Sequence, residues 1–257
     1  MSRTGTAMRW LARGEPHLPT GTTWLTPAEA QRAAGMRFTK RRTEYLVRRL
    51  AAKSAVAAAV GIGTSPDDLG RIAVLNRITG APYVLVDDVP LGLDVSLTDR
   101  AGWGVCLVGA DLGAVGCDVE IAEPRSAGFV SDFLTGHEQA LVRAAPDEPA
   151  GHLLANLVWS AKESALKVLR TGLRRDTRTV EVHLDPTAQP TADAWAPLEV
   201  RTADAGVLPG WWHRDGPWLL TVAYAAPGPA PVPLEHPSAL TRATPTHSWL
   251  QHPVVQP

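Results

Sequence analysis

The run Val115-Gly116-Cys117-Asp118-Val119-Glu120-Ile121 reads as a strand. Side chains alternate faces along a strand. Cys117, Val119 and Ile121 therefore share the core side, and Asp118 and Glu120 point together to the other. Two carboxylates at i and i+2 repel unless a cation lies between them. Hard oxygen donors of this kind suit Mg²⁺ or a similar ion, which keeps several waters and binds substrate phosphate as well. The same pattern also describes a solvent-facing strand with two acids.

A second run follows, Trp159-Ser160-Ala161-Lys162-Glu163-Ser164-Ala165-Leu166-Lys167, within a helix expected over about 152–171. Glu163 and Lys167 are i,i+4 on one face, with Lys162 beside them. Trp159 and Leu166 are seven apart and pack on the core side. An ordinary Glu–Lys helix pair, worth about 0.2–0.5 kcal/mol, accounts for the spacing. So does a third carboxylate ligand with Lys167 as phosphate or proton-transfer partner. Glu163 lies 45 residues beyond Asp118, enough for a helix and a break, so strand and helix are free to face each other.

Around these runs the chain alternates helices and short strands. Thr26-Pro27-Ala28-Glu29 and Thr135-Gly136-His137-Glu138 are helix starts with a capping box. A basic helix spans about 40–60 and ends at Gly61. Strands are expected near 71–75, 83–86, 93–97, 103–109, 114–121, 179–184, 198–201 and 218–224, with a short element at 130–134. Residues 103–109 and 114–121 read as a hairpin. No internal repeat is visible by residue identity. From Pro227 proline recurs without period, and 227–257 reads as a disordered tail.

The 257 residues carry 25 Lys+Arg and 26 Asp+Glu, a formal net charge of -1, which argues against coating nucleic acid or a membrane through bulk electrostatics. No segment reaches the ~20 apolar residues that span a bilayer, and the first ten residues lack a hydrophobic signal core. Two cysteines, Cys106 and Cys117, exclude a disulfide scaffold and read as buried thiols in a reduced, cytoplasmic setting. Zinc-hydrolase, P-loop, dinucleotide and nucleophile-elbow motifs are absent.

The two runs together resemble the Sfp-type 4'-phosphopantetheinyl transferases. That family pairs G-x-D-x-E with W-S-x-K-E-(A/S)-x-x-K, matched here by Gly116, Asp118, Glu120 and by Trp159, Ser160, Lys162, Glu163, Lys167. Gly172-Leu173 resembles the G-x-G-L turn that follows, and Phe133-Leu134-Thr135 through Glu138 the intervening F-F-(S/T)-x-x-E. Arg37-Phe38 and the basic helix resemble the family's N-terminal R-F…R…R region. The resemblance implies an α+β fold of two similar subdomains with pseudo-twofold symmetry, each a small antiparallel sheet packed with a helix. The expected boundaries are 1–113, 114–226 and the 227–257 tail.

It also implies a reaction: transfer of the 4'-phosphopantetheine arm of coenzyme A to a serine of an apo acyl or peptidyl carrier protein, releasing 3',5'-ADP. Such carriers serve polyketide and nonribosomal peptide biosynthesis. Mg²⁺ (or Mn²⁺) would be held by Asp118, Glu120 and Glu163, with Glu163, Lys167 and Asp118 catalytic. Arg32, Arg77, Thr98, Arg100, Lys162 and Lys167 would bind coenzyme A. The expected partners are the carrier protein and coenzyme A, with no nucleic acid, no membrane and a monomeric state.

Two departures stand out. Against the family's S-(I/V)-S-H, the gapless match is Ser96-Leu97-Thr98-Asp99, placing an acid where a histidine meets the 3'-phosphate. Against G-(K/R)-P stands Gly80-Ala81-Pro82. Arg77 or Arg100 is the expected replacement. The same departures favour the alternative, a non-catalytic coenzyme A- or carrier-binding relative. The intact Asp118, Glu120, Glu163 and Lys167 set favours the enzyme.

Overall fold

The computed structural model describes residues 7–188, 190 and 194–246. It divides into two compact units, residues 8–110 joined by the segment from 232, and residues 111–231.

In the first unit, β1 (Arg9–Gly14) leads to α1 (Pro27–Ala34), the long α2 (Thr39–Val60) and α3 (Pro66–Gly70). Then come β2 (Ile72–Asn76), β3 (Pro82–Val86), β4 (Val89–Pro90), β5 (Asp94–Arg100) and β6 (Trp103–Gly109). β6 lies between β1 and β5, antiparallel to both, and β2-β3-β4 form a separate meander. Leu50, Ala51, Ala55 and Val56 of α2 pack with Leu11, Cys106, Val108, Ile72 and Val84 in one apolar core.

In the second unit, β7 (Val115–Ile121) is followed by α4 (Ala127–Phe133), α5 (Gly136–Arg143) and the long α6 (Glu148–Val168). β8 (Val180–Leu184), β9 (Ala196–Thr202), β10 (Gly206–Asp215) and β11 (Trp218–Tyr224) complete it. The sheet order is β7-β11-β10-β9-β8, and every pairing is antiparallel. Leu157, Val158, Ala161, Ala165 and Leu166 of α6 pack on Val180, Val182, Val200, Trp212 and Leu219. Helix α6 begins four residues earlier than its sequence pattern suggests. Asp147 caps it by accepting from the Ala150 N–H, and Pro149 sits in the first turn, where its missing N–H costs nothing. β10 is an addition to the expected strands. Pro209 interrupts its pattern, but pairing with β11 starts only at Gly210, so proline occupies a stretch bonded on one side.

Both units contain the same buried framework. In the first, the capping-box acid Glu29 turns inward. Its Oε2 pairs with Lys53 Nζ at 2.7 Å and its Oε1 accepts from Val74 N–H at 3.1 Å. Lys53 donates further to the carbonyls of Leu69 and Ile72. In the second, Glu138 pairs with Lys162 Nζ at 2.7 Å and accepts from Val182 N–H at 2.7 Å. Lys162 donates to the carbonyls of Thr177 and Val180. Acid and lysine stand 24 residues apart in both units, and the two sets are offset by 109 residues. The repeat that residue identity hides is thus written in buried polar chemistry. Each charge is paired and its remaining hydrogen-bonding capacity used, the condition under which a buried ion pair is tolerated.

The expectation of disorder from Pro227 fails for residues 232–246. β12 (Val232–Pro233) pairs in parallel with β1, Leu234 packs on the first unit's core, and Leu240 is buried. The prolines do not prevent this, because Val232 and Leu234 N–H donate to the Met8 and Trp10 carbonyls and Pro233 falls between them, where the edge strand needs no donor. Residues 247–257 of the expected tail lie outside the described residues.

Candidate active site

The site forms where α6 crosses β7. A β-carbon built on Gly116 would lie 1.9 Å from the Ser164 carbonyl oxygen, so only glycine allows this approach of strand and helix. That contact decides the strand's orientation. Gly116, Asp118 and Glu120 face α6, and β7 has no solvent face: Asp118 is 7% and Glu120 8% exposed. A solvent-facing strand with two acids is therefore excluded. Ser160 and Ser164 fasten the helix from the other direction. Their hydroxyls lie 2.9 and 2.8 Å from Thr221 Oγ1 of β11, and Ser164 Oγ donates to the Thr221 carbonyl.

Lys167, half-buried, reaches β7. Its Nζ donates to the Cys117 carbonyl at 2.7 Å and to Asp118 Oδ1 at 3.0 Å. Burial alone would lower the Lys167 pKa, but Asp118, Cys117 and Glu163 outweigh it and the ammonium is stabilised. Glu163, one helical turn before Lys167, has its carboxyl pushed up by burial and by the Asp118 charge, with Lys167 opposing. Glu163 Oε1 is buried and accepts no hydrogen bond. Glu120 is met by Arg125, whose Nη2 lies 3.2 Å from Glu120 Oε2.

Arg125 escaped the sequence reading. Its only signal is a base placed four residues after the acidic strand. The structure fixes it firmly: Nε donates to Asn156 Oδ1 at 2.7 Å, and the guanidinium lies 4.5 Å above the Phe129 ring. Phe129 and Phe133 both meet Trp159 edge-to-face and each other at a tilt, with centroids 5.1–5.3 Å apart, so Trp159 packs outward on α4 while Leu166 enters the core.

Of the expected site residues, Asp118, Glu120, Glu163 and Lys167 come together. Lys162 does not join them. It is 0% exposed, consumed by Glu138 and two carbonyls, because it lies about 100° round the helix from Glu163. Its expected role in binding coenzyme A is corrected to a structural one. Arg32, Arg77, Thr98 and Arg100 belong to the first unit. There Arg32 stacks over Tyr45, Arg77 stacks over Tyr83, and Thr98 and Arg100 lie on β5. Asp99, the acid standing where the family has a histidine, pairs with Arg48 of α2.

Among the described residues no group of three or more His, Cys, Asp or Glu side chains is arranged as a metal site. Asp118 and Glu120 are turned onto Lys167 and Arg125 instead. The donor set nonetheless fits a hard cation. It offers three carboxylates against two bases in a buried setting, with one carboxylate oxygen lacking any donor.

Residues 114–223, which contain Asp118, Glu120, Arg125, Glu163 and Lys167, match the family model described as the 4'-phosphopantetheinyl transferase superfamily. The match supports a transferase of that superfamily and does not single out the Sfp-type branch. No curated protein matches the chain.

Proposed function

We propose that the domain at 114–223 moves the 4'-phosphopantetheine arm of coenzyme A onto a serine of an apo acyl or peptidyl carrier protein. The serine oxygen attacks the pantetheine-bearing phosphorus. The bond to the other phosphate breaks, and 3',5'-ADP leaves. The observation that carries this reading is the arrangement of half-buried Lys167 and Glu163 around the buried Asp118. It provides one base with a raised pKa and one fixed ammonium within a single helical turn.

Glu163 takes the serine proton. In the metal-free protein, burial and the Asp118 charge raise its affinity for a proton above that of an ordinary carboxylate, and its uncommitted Oε1 is the oxygen available to accept one. Lys167, anchored by the Cys117 carbonyl, presents its positive charge to a pyrophosphate oxygen. Asp118 holds Lys167 in place, and Arg125 holds Glu120. Asp118, Glu120 and Glu163 are the residues that would hold Mg²⁺ or Mn²⁺. The ion would supply charge neutralisation of the pyrophosphate. The Arg48 pair neutralises Asp99 and so removes much of the repulsion that favoured a non-catalytic relative. Arg77 and Arg100 remain the candidates for the 3'-phosphate. Among the described residues no helix is long and apolar enough to cross a membrane. Two free, buried cysteines accord with a reduced cytoplasmic setting.

Incubation with apo carrier protein, coenzyme A and Mg²⁺ should add one phosphopantetheine to the carrier by mass spectrometry, and chelator should stop it. Carrier binding without any mass change would overturn the reading in favour of a binding protein.

A further inference from the structure

Helix α6 ends in an arginine where its counterpart ends in glycine. In α2, Ile62 N–H bonds back to the Ala57 carbonyl across Gly61, which has φ +74°. In α6, Thr171 N–H bonds to the Leu166 carbonyl and Arg170 N–H to the Lys167 carbonyl, the same six-residue closure. The left-handed residue is now Arg170, at φ +57°, again 109 residues on. A β-carbon in this conformation costs about 1–2 kcal/mol. The other unit shows that the motif closes with glycine, so the closure itself does not call for arginine.

The side chain's surroundings supply a reason. Arg170, Thr171, Arg174, Arg175 and Thr179 line an open surface cavity of about 400 Å³. Arg175 is committed to the wall: both Nη atoms bond to Asp204 at 2.8 and 2.9 Å, and Nε bonds to Thr179 Oγ1 at 2.7 Å. Asp176 is likewise taken, by Arg178. Among the described residues neither Arg170 nor Arg174 has an ion pair or side-chain hydrogen bond. Thr171 Oγ1 is buried and has no partner. The cavity thus offers two uncommitted guanidinium forks, and Asp204 and Asp176 are already neutralised. None of Asp118, Glu120, Glu163 or Lys167 lines it.

We propose that this cavity is a second anion site, taking the phosphate group of a small phosphate monoester. Two guanidinium forks match the oxygens of a tetrahedral dianion. One phosphate group brings its oxygens to both forks at once, whereas the separate carboxylates of an acidic protein face meet them singly. The site does not depend on the transferase reading.

The test uses the full chain, titrated with inorganic phosphate and with glycerol 3-phosphate at constant ionic strength. NMR follows the Thr171 amide and the Arg174 Nε–H. Both ligands should saturate these signals. Arg170→Gly with Arg174→Gln should weaken binding at least tenfold, and the glycine keeps the helix end intact. Lys167→Gln should leave these shifts within twofold of their original midpoint, which separates the cavity from the catalytic site. Unchanged affinity in the double variant would overturn the proposal. So would shifts that vanish with Lys167→Gln, or equal saturation by an oligoglutamate peptide.

Discussion

Helices α2 and α6 each rest on a buried Glu–Lys pair and close with the same six-residue hydrogen bond, yet they aim different chemistry at their strands. β1 and β7 can be aligned through the tryptophans opposite their ends, Gly14 facing Trp103 and Ile121 facing Trp218. Asp118 then corresponds to Leu11, and Glu120 to Arg13. On the helices, Ser54 and Ala58 stand where α6 has Glu163 and Lys167, again 109 residues on. Arg13 pairs with Glu235, so the first unit turns this edge toward holding the C-terminal segment. What the units share is framework, and what only the second has is the acid cluster. Lys162 falls on the framework side because Lys53 does the same work in a unit with no cluster to serve.

The largest effect expected from this comparison is on stability. Lys53→Met and Lys162→Met should each cost about 3–5 kcal/mol in urea unfolding, since each strands a buried carboxylate. Adding Glu138→Gln to Lys162→Met should recover much of the loss. If Lys162→Met lowered transfer without lowering stability, the parallel with Lys53 would break. At the helix ends, Arg170→Gly should raise stability by about 1 kcal/mol, and Gly61→Arg should lower it by at least as much. Equal and opposite changes in thermal midpoint would sharpen the comparison, and no gain from Arg170→Gly would weaken it.

The pH dependence of Glu163 follows from its raised carboxyl. Its folded form holds the proton more tightly than the ordinary value of 4.5 allows, so its stabilising contribution is complete below that value. The contribution is lost as pH rises through the raised pKa. Glu163→Gln imitates the protonated acid at every pH. In metal-free buffer the variant should be more stable than the native chain at neutral pH, the gap closing toward pH 4.5. A gap that widens on acidification would contradict the assignment. The smallest effect concerns the 3'-phosphate. With Ala81 and Asp99 in place of a base and a histidine, dephospho-coenzyme A should lose less than about tenfold in kcat/KM. That is under the worth of one charge-assisted hydrogen bond, ~1.5–3 kcal/mol.

Much of this was legible in the sequence, for identifiable reasons. Capping boxes at Thr26 and Thr135, the strand at 115–121 and the two long helices follow local rules that the tertiary structure leaves intact. The approach of Asp118 to Glu163 and Lys167 was suggested by motif and spacing. The direction of β7's faces was not, because both faces are buried and alternation carries no contrast. Lys162 misled because neighbouring letters in a helix point about 100° apart. Arg125 and the Arg48–Asp99 pair depend on long-range packing that no local pattern announces. The repeat was hidden because the core residues that differ between units far outnumber the few buried polar groups that match.

If Glu163 is the base, it acts inside a framework that stands without it. The most direct measurement is phosphopantetheine transfer to apo carrier protein by Glu163→Gln, with urea unfolding of the same sample. The expected result is an intact fold and transfer lowered by about 10²–10⁴-fold. Transfer within about threefold of the native chain, from an equally folded variant, would contradict it.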